Sequence, residues 1–331
     1  MPNSNDFAIV IGINHYKSLG ILQGPIEDAR DFQEWLLSPE GGDLPGENCY
    51  LIESSPDPVK PLQDDIDDKL ALIYEKASAH SYRRLYFYFA GHGLGVGWNE
   101  NALCLPKWSK ILTNSALSSS EYLKLVNESG FFQEVFFFLD CCRNRKTAVR
   151  PLPPTIGIEQ PADKPAKSFV AYGTEFNNAA YEAEHWDSTK SLVRGHFTRA
   201  LMQALRGAAS NKEGSITTVS IKGFLKTKVE EIAKSHNQQQ SVMFEDTFTT
   251  ESIIIGAPLS TKFTNLILHF VEQGNIVLEG PDLSVIKQGH SSTGPWTLAL
   301  EKGLYTLTNT NNNKVNYIRI DGTIDPVTID F

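Results

Sequence analysis

The chain opens on an apolar, β-branched run, Phe7-Ala-Ile-Val-Ile-Gly-Ile13, with no polar position to mark a solvent face. Such a run predicts a strand buried on both sides. Across residues 25–37 the period changes. Ile26, Ala29, Phe32 and Leu36 share one helical face, and Gly41-Gly42 lies beyond the stop. Residues 48–52 predict a second short strand, and residues 58–79 a long helix with Ile66, Leu70, Ile73 and Ala77 on one stripe. Residues 85–90 and 135–139 are further buried strands, with a helix around Tyr122, Leu125 and Val126 between them. Residues 168–172 predict a fifth strand, and 197–205 and 221–232 two more helices. Strands alternating with helices at this spacing make an α/β fold, a mostly parallel sheet with helices on both faces.

Two segments break the pattern. Residues 144–167 carry Pro151, Pro153, Pro154, Pro161 and Pro165 with no periodicity, the mark of an exposed loop. Beyond residue 258 short alternating runs at 266–270, 276–278, 296–300, 305–308 and 317–320 are separated by turn residues such as Gly280-Pro281 and Asn311-Asn312-Asn313. That texture predicts a small all-β, sandwich-like domain over 258–331, following an α/β domain over 1–257.

Composition narrows the function classes. The 331 residues include 30 Lys and Arg against 39 Asp and Glu, a formal charge of −9. This acidic balance argues against a nucleic-acid partner, whose binding requires clustered cations. Hydrophobic residues make up 41% of the chain, enough for a sizeable core. No run approaches the roughly 20 apolar residues that span a bilayer. The first residues lack the basic and apolar stretches of a signal peptide. Four cysteines, Cys49, Cys104, Cys141 and Cys142, do not make a disulfide scaffold. A cytoplasmic protein with reduced thiols and no membrane partner is expected.

In an open parallel sheet, chemistry gathers outside the carboxyl ends of the strands. The strand at 85–90 ends in Gly91-His92-Gly93, and the strand at 135–139 in Asp140-Cys141-Cys142-Arg143. If these strands are neighbours, His92 and a cysteine emerge on one edge. A thiol becomes a useful nucleophile when a base takes its proton, and an imidazole can do so. The backbone N–H groups of Gly93 and Cys142 are candidates for holding an oxyanion. Neither cysteine has a partner at zinc-site spacing, so no metal is expected. Gly95-Val-Gly97 is too short a signal for a phosphate loop.

These motifs resemble the caspase-like cysteine peptidases, and within them the paracaspases and prokaryotic caspase homologues. Ile11-Gly-Ile-Asn-His-Tyr16, Leu22-Gln-Gly-Pro-Ile-Glu-Asp28, Tyr88-Phe-Ala-Gly-His-Gly93, Phe138-Leu-Asp-Cys-Cys-Arg143, Ala180-Tyr-Glu182 and Gly195-His-Phe-Thr-Arg-Ala-Leu201 stand in the expected order over about residues 7–255. The histidine–cysteine spacing, residues 92 and 142, also fits caspases. The resemblance implies a three-layer caspase-like sandwich and a cysteine endopeptidase acting on protein or peptide substrates without a cofactor. It assigns Cys142 as nucleophile, His92 as base, and Cys141 to a slot usually filled by a small residue, here read as a buried, inert thiol.

True caspases cut after aspartate, using arginines and a glutamine two places before the cysteine. Here that place holds Asp140. The paracaspase-like reading makes Asp28 and Asp140 floor and wall of a primary pocket for Arg or Lys, which carboxylates recognise by charge-assisted hydrogen bonds. The alternative is that Asp28 faces solvent and Asp140 caps a turn. The third acid that the resemblance expects is missing from Asn177-Asn-Ala-Ala180, and Glu175 and Glu182 are the candidates to replace it.

Three further readings follow. The acids Asp64, Asp65, Asp67 and Asp68 match the calcium dependence of some relatives, but complementing a helix dipole explains them more simply. Arg145, Lys146, Arg150, Lys164 and Lys167 offer sites for self-cleavage within 144–167, against the alternative of a flexible solvated loop. Prokaryotic homologues often serve antiphage defence or programmed cell death, switched on by a partner protein or a nucleotide messenger, so the resemblance implies a gated effector. The rival reading is a catalytically silent caspase-fold scaffold or ligand sensor that recruits a partner through its β domain. A flavodoxin-like binding domain would share the sheet but leave His92 and Cys142 unexplained.

Overall fold

The computed structural model describes residues 3–60, 62–77, 82–145, 149–187, 190–211, 214–248, 254–256, 263–280, 284–301, 303–320 and 326–331. The predicted strands form one sheet. In chain order the strands are β1 (Asp6–Gly12), β2 (Cys49–Glu53), β3 (Tyr82–Ala90), then β4 (Gly93–Gly97), β5 (Glu100–Cys104) and β6 (Ala116–Ser118), which form a separate small sheet that the sequence did not predict, then β7 (Phe132–Asp140) and β8 (Lys167–Tyr172). A second hairpin follows, β9 (Glu182–Asp187) and β10 (Lys190–Gly195), then β11 (Ile216–Thr217), β12 (Met243–Asp246) and β13 (Ile254–Gly256). The main sheet runs β12-β8-β7-β3-β1-β2. All its pairs are parallel except β12 with β8.

The unbroken apolar runs within β1, β3 and β7 have their explanation in two cores. Phe7, Ile9, Ile11, Leu85, Phe87, Phe89, Val135, Phe137 and Leu139 face α2 (Gln63–Ala77) and α3 (Ser119–Glu128). Ala8, Val10, Tyr86, Tyr88, Phe136 and Phe138 face α1 (Pro25–Leu37), α4 (His196–Gln203) and α5 (Thr218–Ser235). Period-two alternation thus sends successive side chains to opposite apolar layers. The result is the three-layer caspase-like sandwich.

The helix expected over 58–79 begins only at Gln63. Pro61 disfavours helical geometry at residue 60, and Leu62 takes a left-handed φ of 68°. Residues 78 and 79 lie outside the described residues. Asp64 and Asp65 sit in the first turn of α2, as a dipole complement should. Asp67 does not. It is buried, and it accepts hydrogen bonds from Tyr122 Oη at 2.5 Å and from Thr155 N and Oγ1 at 2.9 and 2.7 Å.

Thr155 belongs to the segment expected to be an exposed loop, whose described residues are mostly exposed or part-exposed and yet tied down. The segment is strapped to the body: Leu152 N–H donates to Ala116 O at 2.7 Å, Ala162 N–H to Glu128 O at 2.8 Å, and Ala166 N–H to Asn127 O at 2.9 Å. Residues 146–148, which include Lys146, lie outside the described residues. Arg145, Arg150 and Lys164 are exposed.

The C-terminal strands are β14 (Thr264–His269), β15 (Asn275–Glu279), β16 (Val285–His290), β17 (Trp296–Leu300), β18 (Gly303–Asn309), β19 (Lys314–Ile320) and β20 (Val327–Asp330). They make sheets β17-β14-β20 and β16-β15-β18-β19, antiparallel except for β14 with β20. Leu266, Leu268, Ile276, Leu278, Trp296, Leu307 and Ile318, drawn from both sheets, share a third core.

Candidate active site

Register sets the site. Ala90 at the end of β3 pairs with Asp140 at the end of β7, so His92 and Cys142 each leave the sheet two residues past the same rung. Gly91 N–H then donates to Asp140 O at 3.2 Å. Both side chains line one cavity of about 110 Å³, together with Asp28, Asp140, Ala180, Tyr181 and Glu182. The sequence therefore predicts five residues, His92, Cys142, Asp28, Asp140 and Glu182, that the fold brings to one place.

His92 is held on three sides. Its backbone N–H donates to Tyr16 Oη at 2.8 Å, the two rings meet edge to face at 4.7 Å, and its Nε2 lies 2.8 Å from the carbonyl oxygen of Gly20. A carbonyl can only accept, so Nε2 carries the proton and Nδ1 of the neutral ring is left as the acceptor. Burial holds the His92 pKa below its ordinary value, against the opposing pull of Gly20 and Glu182. Cys142 Sγ lies 3.4 Å from both the N and the O of Ala180. Burial raises its pKa, with the Ala180 backbone opposing. Both effects favour a neutral pair, thiol beside imidazole, in the free protein.

Cys141 is buried and accepts from Asn101 Nδ2 at 3.7 Å. Burial raises its pKa well above the ordinary thiol value. Gly93 follows His92, its Cα packed where a side chain would meet Cys141 Sγ and the Cys142 carbonyl.

Arg143 is fully buried. Its Nε donates to Asn101 Oδ1 at 2.7 Å, a terminal nitrogen donates to Trp98 O, and its plane lies 4.0 Å above the ring centroid of Tyr172. Its backbone N–H donates to Asn178 O at 2.9 Å, and Asn177 N–H returns to Arg143 O at 2.9 Å. One residue thus pins the chain after Cys142 to β5, to β8 and to the loop that carries Ala180.

The acids come from three elements. Asn14, in the Ile-Gly-Ile-Asn motif, accepts at Oδ1 from Ile26 N–H at 2.9 Å and so caps α1. That cap fixes Asp28 two residues further on in the same first turn, buried, with Oδ2 accepting from Gly195 N–H at 2.9 Å. Asp140, also buried, accepts at Oδ2 from Thr198 N and Oγ1 at 3.0 and 2.6 Å. Asp28 therefore does not face solvent, and Asp140 does more than cap a turn. Glu182 at the start of β9 accepts from Gln23 N–H at 3.1 Å and Gly24 N–H at 2.9 Å. Glu175 is exposed and stands outside the cavity lining, so of the two candidates Glu182 is the one at the site.

Burial pushes the Asp140 carboxyl up to about 6. Burial and the neighbouring Asp140 raise Asp28 well above the carboxylate range, with Arg194 opposing. Gly195 makes the convergence feasible: a side chain there would collide with Asp140 Oδ2 and lie 3.1 Å from Asp28 Oδ2.

Residue patterns did not announce the Gly20 carbonyl, Tyr16, Thr198 or Arg194. Thr198 had a signal in Gly195-His-Phe-Thr-Arg-Ala-Leu201, and Tyr16 one in Ile11-Gly-Ile-Asn-His-Tyr16. Among the described residues no group of three or more His, Cys, Asp or Glu side chains is arranged to hold a metal ion. No described helix is long and apolar enough to cross a membrane.

A family model, the caspase domain, matches residues 5–252. The chain belongs to the caspase-domain peptidase family. It is 32% identical over 227 residues, 62% of its own length, to a protein described as a probable protease of a Desulfuromonadales bacterium. The chain spans about a quarter of that relative, 26% of its length.

Proposed function

We propose that this protein is a cysteine endopeptidase that cleaves after arginine or lysine. The observation that carries this reading is the sharing of one small cavity by His92, Cys142 and three carboxylates, Asp28, Asp140 and Glu182. A cationic side chain entering it meets acceptors on several sides, the arrangement that suits a guanidinium or ammonium group.

In this reading Nδ1 of His92 takes the Cys142 proton as sulfur attacks the scissile carbonyl carbon. The C–N bond then breaks as the imidazolium returns that proton to the leaving amine. Water, deprotonated by the same imidazole, releases the acyl group and restores the thiol. The backbone N–H of Cys142 is at hand for the developing oxyanion. A role for the Gly93 N–H rests on its place beside His92 in the sequence, with Gly93 packed against Cys141 and Cys142 in its support.

Residues 1–257 are read as the peptidase unit and 258–331 as an accessory β domain. The family match ending at residue 252 and the separate C-terminal core support that division. A role in antiphage defence or cell death, and activation by a nucleotide messenger or partner protein, rest on the resemblance alone. Hydrolysis of fluorogenic peptides ending in Arg, Lys, Asp or Leu, by wild type and Cys142→Ala, tests the reading. Release after Arg or Lys that vanishes in the variant supports it. Release only after Asp refutes the acidic pocket, and silence with every peptide means a gated enzyme or a scaffold, which the same assay with candidate nucleotide messengers added separates.

A further inference from the structure

Asp28 is approached from two directions. Its Oδ2 belongs to the cavity side, beside Gly195, while its Oδ1 accepts from Arg194 Nη1 at 3.1 Å. The same guanidinium reaches Asp31 Oδ2 with Nη2 at 2.6 Å, and Arg206 holds the other Asp31 oxygen at 2.5 Å. Arg194 is not part of the cavity lining. It stands on β10 opposite Ala183 of β9, next to the rung that pairs Glu182 with Gly195. One hairpin therefore supplies Glu182 to the start of α1 and receives Asp28 in return through Arg194 and Gly195.

We propose that Arg194 is a specificity-determining positioning residue, which holds Asp28 from behind so that its inner oxygen is presented to the basic side chain of the substrate. This rests on the reading of Asp28 as a pocket acid. Two buried carboxylates facing each other would otherwise share a proton, since burial and mutual repulsion both disfavour the second charge. The groups around Asp28 are Asp140 from β7, Tyr88 from β3, Asp31 on α1, Glu182 from β9 and Arg194 from β10, with His92 and Cys142 lining the same cavity. Arg194 is the only cation in that set apart from a protonated His92. Of the influences lowering the Asp28 pKa, Arg194 is the largest and the Gly195 N–H the next. The guanidinium bridge also fixes which oxygen faces inward, because it occupies Oδ1 while Gly195 occupies one lone-pair direction of Oδ2.

The consequence is specific. Without Arg194, Asp28 stays protonated to higher pH, and a neutral carboxyl attracts a substrate guanidinium less. Binding is then weaker at neutral pH than at alkaline pH and recovers as pH rises, while the chemical step at Cys142 is little affected.

The test uses the full chain and a fluorogenic Arg peptide, with KM and kcat measured from pH 6.5 to 9 for wild type, Arg194→Gln and Arg194→Lys. For Arg194→Gln the expected result is a KM about tenfold higher at pH 7, the scale of one lost charge-assisted contact. The gap narrows toward pH 9, and kcat stays within about twofold. Arg194→Lys keeps the charge and is expected to restore KM to within about threefold of wild type. An unchanged KM in Arg194→Gln overturns the proposal. So does a KM raised equally at every pH and unrepaired by lysine, which marks a structural prop. If Arg194→Gln does not fold, as judged by thermal unfolding, a tenfold KM loss in a folded Arg194→Lys likewise overturns it. A wild type that releases product after Asp or Leu but not after Arg or Lys overturns the underlying pocket reading itself and takes the proposal with it.

Discussion

Asp28 and Asp140 place carboxylate oxygens against the same face of Gly195, one arriving from the first turn of a helix and the other from the end of a strand. Both are buried, and burial raises the pKa of each. Two such groups do not stabilise a fold. They persist where an incoming cation completes them, the usual opposition between stability and binding at a functional site.

The first prediction is therefore a gain of stability. Asp140 has a folded-state pKa of about 6 against an unfolded carboxylate near 4, so its charged form costs stability above pH 6 and the cost is relieved as pH falls. Asp140→Asn keeps an oxygen for Thr198 and removes that charge. We expect about 1–3 kcal/mol of added stability at pH 8. The measure is denaturant unfolding at pH 8 and pH 5, with the advantage shrinking at pH 5. A variant less stable than wild type at pH 8 contradicts it.

The same titration sets a pH dependence of substrate capture. As pH falls through about 6, Asp140 takes a proton and the cavity loses an anion. KM for an Arg peptide should rise over that range. His92, whose pKa burial holds below its ordinary value, remains an unprotonated base over more of the range. Initial rates against substrate concentration from pH 5 to 8 check this, and a flat KM is the contrary result.

Thiol reactivity gives a third. Burial raises the pKa of Cys142, so the resting thiol should react with iodoacetamide no faster than free cysteine at pH 7. Its rate should climb with pH beyond the ordinary thiol range. Cys49, pushed up to about 12 by burial, together with Cys104 and Cys141, should stay unlabelled in the folded state. Peptide mapping after timed alkylation decides it. Rapid labelling of Cys142 at pH 6 would mean a preformed thiolate–imidazolium pair.

Arg143 supports the chain after Cys142 through Asn101, Trp98 and Tyr172. Its replacement by alanine leaves buried acceptors without donors and opens a cavity, at a cost of about 3 kcal/mol or more. Arg143→Lys cannot reproduce a planar guanidinium stacked on a ring. Thermal unfolding should fall for both variants, further for alanine, and equal melting of all three proteins contradicts the assignment.

What the sequence made legible follows from what leaves a residue-type signature. Buried parallel strands announce themselves by unbroken apolar runs, and their ends mark where His92, Asp140 and Cys142 emerge. Asp28 stands in the first turn of a clear amphipathic helix. The β9–β10 hairpin stayed hidden, because Glu182-Ala-Glu184 and Arg194-Gly195 show no apolar alternation. Arg194 was hidden with it. The β4–β5–β6 sheet begins in Gly93-Leu-Gly-Val-Gly97, whose glycines lower β-propensity. The Gly20 carbonyl that holds His92 could not be read at all, since a backbone oxygen has no residue type. Asp67 looked like its solvated neighbours and proved to be the anchor of the strap, a tertiary contact that local charge pattern does not encode.

The central claim is that Cys142 attacks carbonyl carbon with a basic residue seated among Asp28, Asp140 and Glu182. Its most direct test is covalent trapping. The protein is incubated with a peptidyl-arginine chloromethyl ketone or its aspartate counterpart, and the adduct is located by intact mass and peptide mapping. The account predicts one adduct, on Cys142, formed with the arginine reagent much faster than with the aspartate one and abolished in His92→Ala. Adduct on another cysteine, or equal rates with the two reagents, would contradict it.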